Sequence, residues 1–241
     1  MIFDPLYIFV VLIPTLVITG WAALRVRSTY AKWAKVDSGI DLEPFDFARR
    51  LLDRQGLTAV TIEPTPGQLT DHYDPRGKVL RVSTSVAAGP ELGTAEGAPI
   101  GGRISVAAAA VIAHEVGHAL QDASGDPAMK FRQAIVPVAQ FGSGVAPWLI
   151  IGGYFFNVFG LALVGLIAFA GAVVFTFATL PVEIGASGKA LAFVNGLGMT
   201  GERQDGARSV LKAAAWTYVA GALTALLTFL YYAWLIFGRR D

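Results

Sequence analysis

The sequence predicts a mainly α, polytopic membrane protein with about four transmembrane helices and a small α+β lobe. Three observations lead there. The chain is 54% hydrophobic and only 15% charged, with a mean hydropathy of +0.54, where soluble domains carry about 25% charged residues. Residues 137–181 contain no Asp, Glu, Lys or Arg, a stretch too long for one bilayer crossing and right for two. Soluble-looking composition is confined to residues 36–110 and to a polar stretch near 183–212.

Taken in order, Pro5–Leu24 is apolar and about twenty residues long, enough to span a bilayer. Asp4 precedes it, and Arg25, Arg27, Lys32 and Lys35 follow. A secretory signal has the opposite charge order, so the segment reads as an uncleaved anchor. The bias puts residue 25 onward in the cytoplasm. Asp46–Arg54 has helical spacing, and Gly56 is its stop. Ala59–Glu63 and Val79–Ser83 alternate like strands around turns at Pro66-Gly67 and Pro75-Arg76-Gly77. Gly89–Gly102 is a Gly-, Ala- and Pro-rich loop. Ser105 is the expected N-cap of a helix running through His118 to about Ala123, closed by Gly125 and Pro127. Pro137–Phe156 and Val158–Thr179 are then two spans turned at Asn157, and Ala213–Phe237 is the last. The implied organisation is an anchor (1–24), a cytoplasmic lobe (25–136), a transmembrane hairpin (137–181), a cytoplasmic helix (182–212), and a last span with its tail (213–241). Four spans place Arg239 and Arg240 outside, against the charge rule; the four basic residues after the first span outweigh them.

Some functions are excluded early. A net charge of +1 offers no basic field for nucleic acid. The absence of cysteine removes disulfide frameworks and thiolate metal sites. The expected spans carry no ionisable residue, which argues against a metal transporter. Any histidine site must draw on His72, His114 and His118.

Two of these three stand in the run His114-Glu115-Val116-Gly117-His118. Histidines four apart share one helical face, so both imidazoles can grip one zinc. The residue after the first histidine, Glu115, then faces a water whose pKa zinc lowers to about 7, as general base for attack on a peptide carbonyl. Gly117 lets another backbone or a substrate come close. The bland alternative is a helix with two surface histidines. It leaves unexplained why they sit, with a glutamate, in an otherwise apolar helix, where burying them without a metal is costly.

Catalytic zinc needs three protein ligands and an open position. Candidates for the third are His72, Glu183, Asp122 and Asp126. The two aspartates follow the helix too closely to fold back. Glu183 is the first charged residue after the uncharged stretch. Two crossings return the chain to the face it left and bring Glu183 beside His114. As an alternative, Glu183 caps a helix at the membrane surface. Ser187, one turn on, would hydrogen-bond a ligating imidazole or simply pack.

The strings AHEVGHALQDA (Ala113–Ala123), LPVE-x-x-AS (Leu180–Ser187) and DHYDPRGKVLRVS (Asp71–Ser83) resemble the YugP-like neutral zinc metallopeptidases of bacterial membranes, over nearly the whole chain. The layout is more distantly similar to HtpX-type membrane gluzincins. The resemblance implies one Zn2+ per chain on His114, His118 and Glu183, with Glu115 as catalytic base. It also implies an edge strand at Leu69–Asp74 that pairs with an extended substrate, and His72 or Tyr73 as oxyanion donor. Against that, Asp71 and Asp74 would merely organise a turn, with His72 solvated. The chain departs from its relatives at Gly185, where they carry Asn, and at Gly188-Lys189, where they carry two Arg.

The expected function is a zinc-dependent membrane metalloendopeptidase in the cell membrane, multi-pass, with its active site on the cytoplasmic side. Its partners are a protein or peptide substrate, membrane proteins included, and the lipid bilayer. The small residues between Gly152 and Gly171 permit close helix packing within one chain or in a homo-oligomer. The competing reading is a non-catalytic membrane scaffold retaining a metalloprotease fold; an intact Glu115 argues against it.

Overall fold

The computed structural model describes residues 4–87 and 103–238. The Gly89–Gly102 loop, Arg239 and Arg240 lie outside them. The described chain runs α1 (Pro5–Tyr7), a π-helical turn (Ile8–Leu12), α2 (Ile13–Trp33), α3 (Pro44–Arg54), β1 (Thr61–Thr65), β2 (His72–Asp74), β3 (Val79–Ser83), α4 (Thr84–Ala87), α5 (Val106–Ala123), α6 (Pro127–Gly144), α7 (Ala146–Phe155), α8 (Phe159–Gly196) and α9 (Glu202–Phe237). Among the described residues, four helical stretches are long and apolar enough to cross a membrane: Pro5–Trp33, Pro127–Phe155, Phe159–Gly196 and Glu202–Phe237. With one small sheet besides, the protein is mainly α with an α+β lobe.

The chain divides into two compact units. The first comprises Met1–Ala23, Pro127–Pro181 and Trp216–Asp241. Its outward face is apolar: Phe9, Leu16, Trp148, Phe155, Ile167 and Trp234 are exposed, as lipid contact requires. Glycines set the contact between α6–α7 and α8. A Cβ on Gly142 would lie 2.3 Å from the carbonyl oxygen of Ala168, and one on Gly153 would lie 2.3 Å from the nitrogen of Ala162. Here the small residues serve packing within the chain. The hairpin turns at Asn157, which adopts a φ of 56°, a conformation that Asn tolerates better than most residues. The hydroxyl of Tyr231 donates to Asp4 at 2.8 Å, and Phe159 meets Phe237 edge-on. The start of α1, the 157 turn and the end of α9 therefore gather at one end of this unit, as a four-span arrangement demands.

The second unit comprises Leu24–Asp126 and Val182–Ala215. Its sheet has the order β1-β3-β2, with β1 parallel and β2 antiparallel to β3. The strands fall close to the expected places, with β1 two residues later than its alternation suggests. The run Val106–Ala110 is fully buried, within a core shared with Phe47, Leu51, Leu80, Val194 and Leu211. Alanine at these positions lets neighbouring elements approach α5 on all sides. Ser105 caps α5 as expected, its Oγ accepting from the N–H of Ala108 at 3.1 Å. Gly125, at φ 68°, takes the left-handed turn that ends it. The polar stretch 182–212 falls on two helices, the end of α8 and the start of α9, with a turn between them. Nothing in α8 breaks at the switch from apolar to polar composition, so Glu183 sits on the same rigid helix as Val194.

Candidate metal centre

Two helices supply the site. His114 and His118 are one turn apart on α5, their rings edge to face at 4.7 Å between centroids. Glu183 comes from α8. The approach of α8 is fixed by Gly117: a Cβ there would lie 2.8 Å from the carbonyl oxygen of Ala186 and 3.2 Å from its Cα. The bare backbone at 117, between the two histidines, thus lets Glu183 reach both. It is another backbone, rather than a substrate, that this glycine admits.

The resulting geometry is convergent. Nε2 of His114 lies 3.1 Å from Oε2 of Glu183, and Nε2 of His118 lies 3.5 Å from the same oxygen. One ligand atom from each residue falls within 4.8 Å of the others, a group that could hold a metal ion. Glu183 is 2% exposed and His118 8%, so the charge of this carboxylate must be met inside the protein. Burial works against that charge, but hydrogen bonds with His114 and His118 outweigh it and hold the Glu183 carboxyl well below the usual carboxylate range. The far nitrogens of both rings are also engaged. Nδ1 of His114 lies 3.3 Å from Ser187 Oγ, one of the two roles open to Ser187 from its spacing. Nδ1 of His118 lies 3.0 Å from Oε1 of Gln121. With Nδ1 of each ring engaged on its far side, Nε2 is the nitrogen each histidine has left for a metal at the common point, a donor set that suits zinc with an open position.

Glu115 is partly exposed beside this group. Burial of its carboxyl pushes its pKa up, against the pull of the nearby His118 and His114. Its Oε2 accepts from the backbone N–H of Tyr73 at 3.0 Å, so β2 runs along the site. The Tyr73 side chain is buried against α5 and its hydroxyl donates to Asp122 at 2.8 Å. Successive strand residues face opposite ways, and His72 accordingly faces away. It is exposed, with Nδ1 2.9 Å from the carbonyl oxygen of Thr70 and Nε2 3.4 Å from Arg81. The structure brings His114, His118, Glu183 and Glu115 together and leaves His72 outside that group. Asp122 is engaged by Tyr73 and Lys78. Asp74 accepts from the N–H groups of Arg76 and Gly77, the turn-organising role open to it from sequence.

Two participants were not singled out from sequence. Gln121 carried a usable signal, being three residues after His118 on the same helical face of an apolar helix. The N–H of Tyr73 carried none, because its direction depends on which side of β2 pairs with β3.

Fold and site together give, among the described residues, four helices long and apolar enough to cross a membrane and a His/His/Glu group that could hold a metal ion. The family described as "Putative neutral zinc metallopeptidase" matches residues 8–237, and the chain belongs to it. It is 39% identical over 237 residues to "Putative membrane protease YugP" of Bacillus subtilis (strain 168), a match covering 98% of this chain and 99% of that protein. No solved structure matches the chain.

Proposed function

We propose that this protein is a zinc-dependent membrane endopeptidase. One observation carries the reading: two imidazoles and a buried carboxylate converge on one point, with a second carboxylate, Glu115, beside them. His114, His118 and Glu183 would hold one zinc per chain. Bound there, zinc would acidify a water and polarise the scissile carbonyl. Glu115 is the base: its carboxylate takes the proton of the attacking water and returns it to the leaving amine. Tyr73 holds that carboxylate in place through its N–H, and β2, an edge strand, runs beside the site where an extended peptide would lie. A non-catalytic scaffold would have no use for a base so held.

The substrates follow from position. Glu183 is the first charged residue after the uncharged stretch 137–181, so the site works close to the bilayer surface, on the cytoplasmic face that the basic residues after the first span assign to it. Membrane proteins and chains emerging from the bilayer are the substrate class. The test compares membranes carrying the active chain with membranes carrying Glu115→Gln, by mapping new protein N-termini. Cleavage products present with the active chain and absent with the variant are expected. Identical N-termini in both would favour the scaffold.

A further inference from the structure

Gln121 is 1% exposed and bonded at both ends. Its Nε2 donates to the main-chain carbonyl of Val182 at 2.9 Å, and its Oε1 faces Nδ1 of His118 at 3.0 Å. These two contacts together fix a proton. A carbonyl oxygen can only accept, so Val182 dictates that the amide nitrogen of Gln121 points toward α8. The amide oxygen is then the atom presented to His118. An amide oxygen also only accepts, so Nδ1 of His118 must carry a proton, and Nε2, the nitrogen facing Glu183, is the one left to bind a metal.

We propose that Gln121 is the positioning residue of the metal centre: it passes the docking of α8 to His118 as a choice of tautomer. This rests on the metal-site reading above and adds to it. Val182 immediately precedes Glu183, so one segment of α8 supplies the carboxylate ligand and also sets the imidazole opposite it. Ligand geometry is complete only when α8 is seated on α5. Gly185 belongs to the same device. A Cβ there would lie 2.9 Å from Nε2 of Gln121, its one close neighbour among the described residues outside its own helix backbone. Glycine at 185 thus leaves the amide room to lie between the helices.

The test uses the full chain in detergent and reads zinc affinity by chelator competition, with the visible absorption of Co2+ as a second readout. Gln121→Met keeps length and apolar volume but removes both hydrogen bonds. It should weaken zinc about 10- to 100-fold, the usual effect of losing a partner that orients a ligand, and shift the Co2+ bands. Gly185→Ala, which touches no ligand, should weaken zinc about 3- to 10-fold by displacing the amide. Because it acts only through Gln121, it should add nothing in the double variant. Zinc bound by Gln121→Met within about twofold of the parent chain, or additive losses in the double variant, would overturn the proposal. If Gln121→Met fails to fold, as judged by melting without metal, Gly185→Ala decides alone: unchanged affinity and Co2+ bands would overturn it. Failure of the metal reading looks different, since the unaltered chain would then bind no zinc, like His114→Ala.

Discussion

Tyr73 is joined to α5 at both ends: its backbone N–H meets Oε2 of Glu115 at 3.0 Å, and its hydroxyl meets Oδ2 of Asp122 at 2.8 Å. The two acceptors are seven residues apart, two helical turns on one face. One side chain of the edge strand therefore lies along the helix that carries the histidines, and its main chain fixes the carboxylate between them. Lys78, just before β3, reaches the same Asp122 oxygen, so the sheet is pinned to the far end of α5 as well.

Tyr73→Phe tests that attachment. It removes the hydroxyl and keeps the N–H on Glu115. The loss of a buried hydrogen bond to a charged group should cost about 1–2 kcal/mol, moderated because Lys78 still neutralises Asp122. Thermal melting in detergent should show a drop of a few degrees with zinc content unchanged. Zinc loss in this variant would mean that β2 supports the metal ligands directly.

Alanine at His114, His118 or Glu183 should abolish zinc binding at the single site, measured as metal per chain by elemental analysis. Glu183→Ala is the informative case. It leaves two imidazoles, which bind zinc poorly without a third ligand. His72→Ala should keep its zinc, since His72 pairs with Thr70 and Arg81. Zinc lost with His72→Ala and kept with Glu183→Ala would reverse the assignment.

The division between what was legible in the sequence and what was not follows a physical line. The α5 helix, its Ser105 cap, its Gly125 stop and the His114/His118 face depend on local spacing, and local spacing is visible in the chain. Glu183 became a candidate through topology, because two crossings return the chain to its starting face, and through the family resemblance. What stayed hidden depends on how elements meet. Gly117 was open to backbone or substrate until α8 was seen against it. The Tyr73 N–H depends on the pairing register of His72 with Arg81, and no residue type advertises a main-chain direction. The continuity of α8 through Glu183 was masked by a change from apolar to polar composition, which marks a change of solvent rather than the end of a helix.

Glu115→Gln should retain zinc and lose peptidase activity by roughly 10³-fold, since the amide cannot accept the proton that the carboxylate takes. The Tyr73 N–H can still bond the amide oxygen, so folding should be unaffected. Cleavage of labelled casein near the parent rate would remove Glu115 from the mechanism.

Gly117→Ala asks whether the closeness of α5 and α8 matters to the site. The added methyl meets main-chain atoms of Ala186, which cannot swing aside as a side-chain tip can. The helices must separate, at a cost of about 1–3 kcal/mol for overpacking, and Glu183 moves with α8 away from both imidazoles. Melting temperature and zinc affinity should fall together. A chain that loses stability but binds zinc as tightly as before would show that Glu183 can follow the histidines by side-chain rotation, and that the close backbone approach serves packing only.

Reporter fusions should place residues 60 and 200 on the cytoplasmic side and residue 157 on the other. The end of α9 should share the side of residue 157, because Tyr231 bonds Asp4 and Phe159 meets Phe237. On the proposed topology the basic residues Arg25, Arg27, Lys32 and Lys35 set the orientation. Their replacement by neutral residues should therefore produce a fraction of inverted chains, while removal of Arg239 and Arg240 should change nothing. The relation between residues 60 and 200 is the demanding part. His114 and Glu183 flank the hairpin in sequence and must reach one metal, so both polar stretches have to be on one face whatever the absolute orientation. Residues 60 and 200 found on opposite faces would separate Glu183 from the histidines and dismantle the metal site, whereas a simple inversion of the whole chain would move the site to the other compartment and leave its chemistry intact.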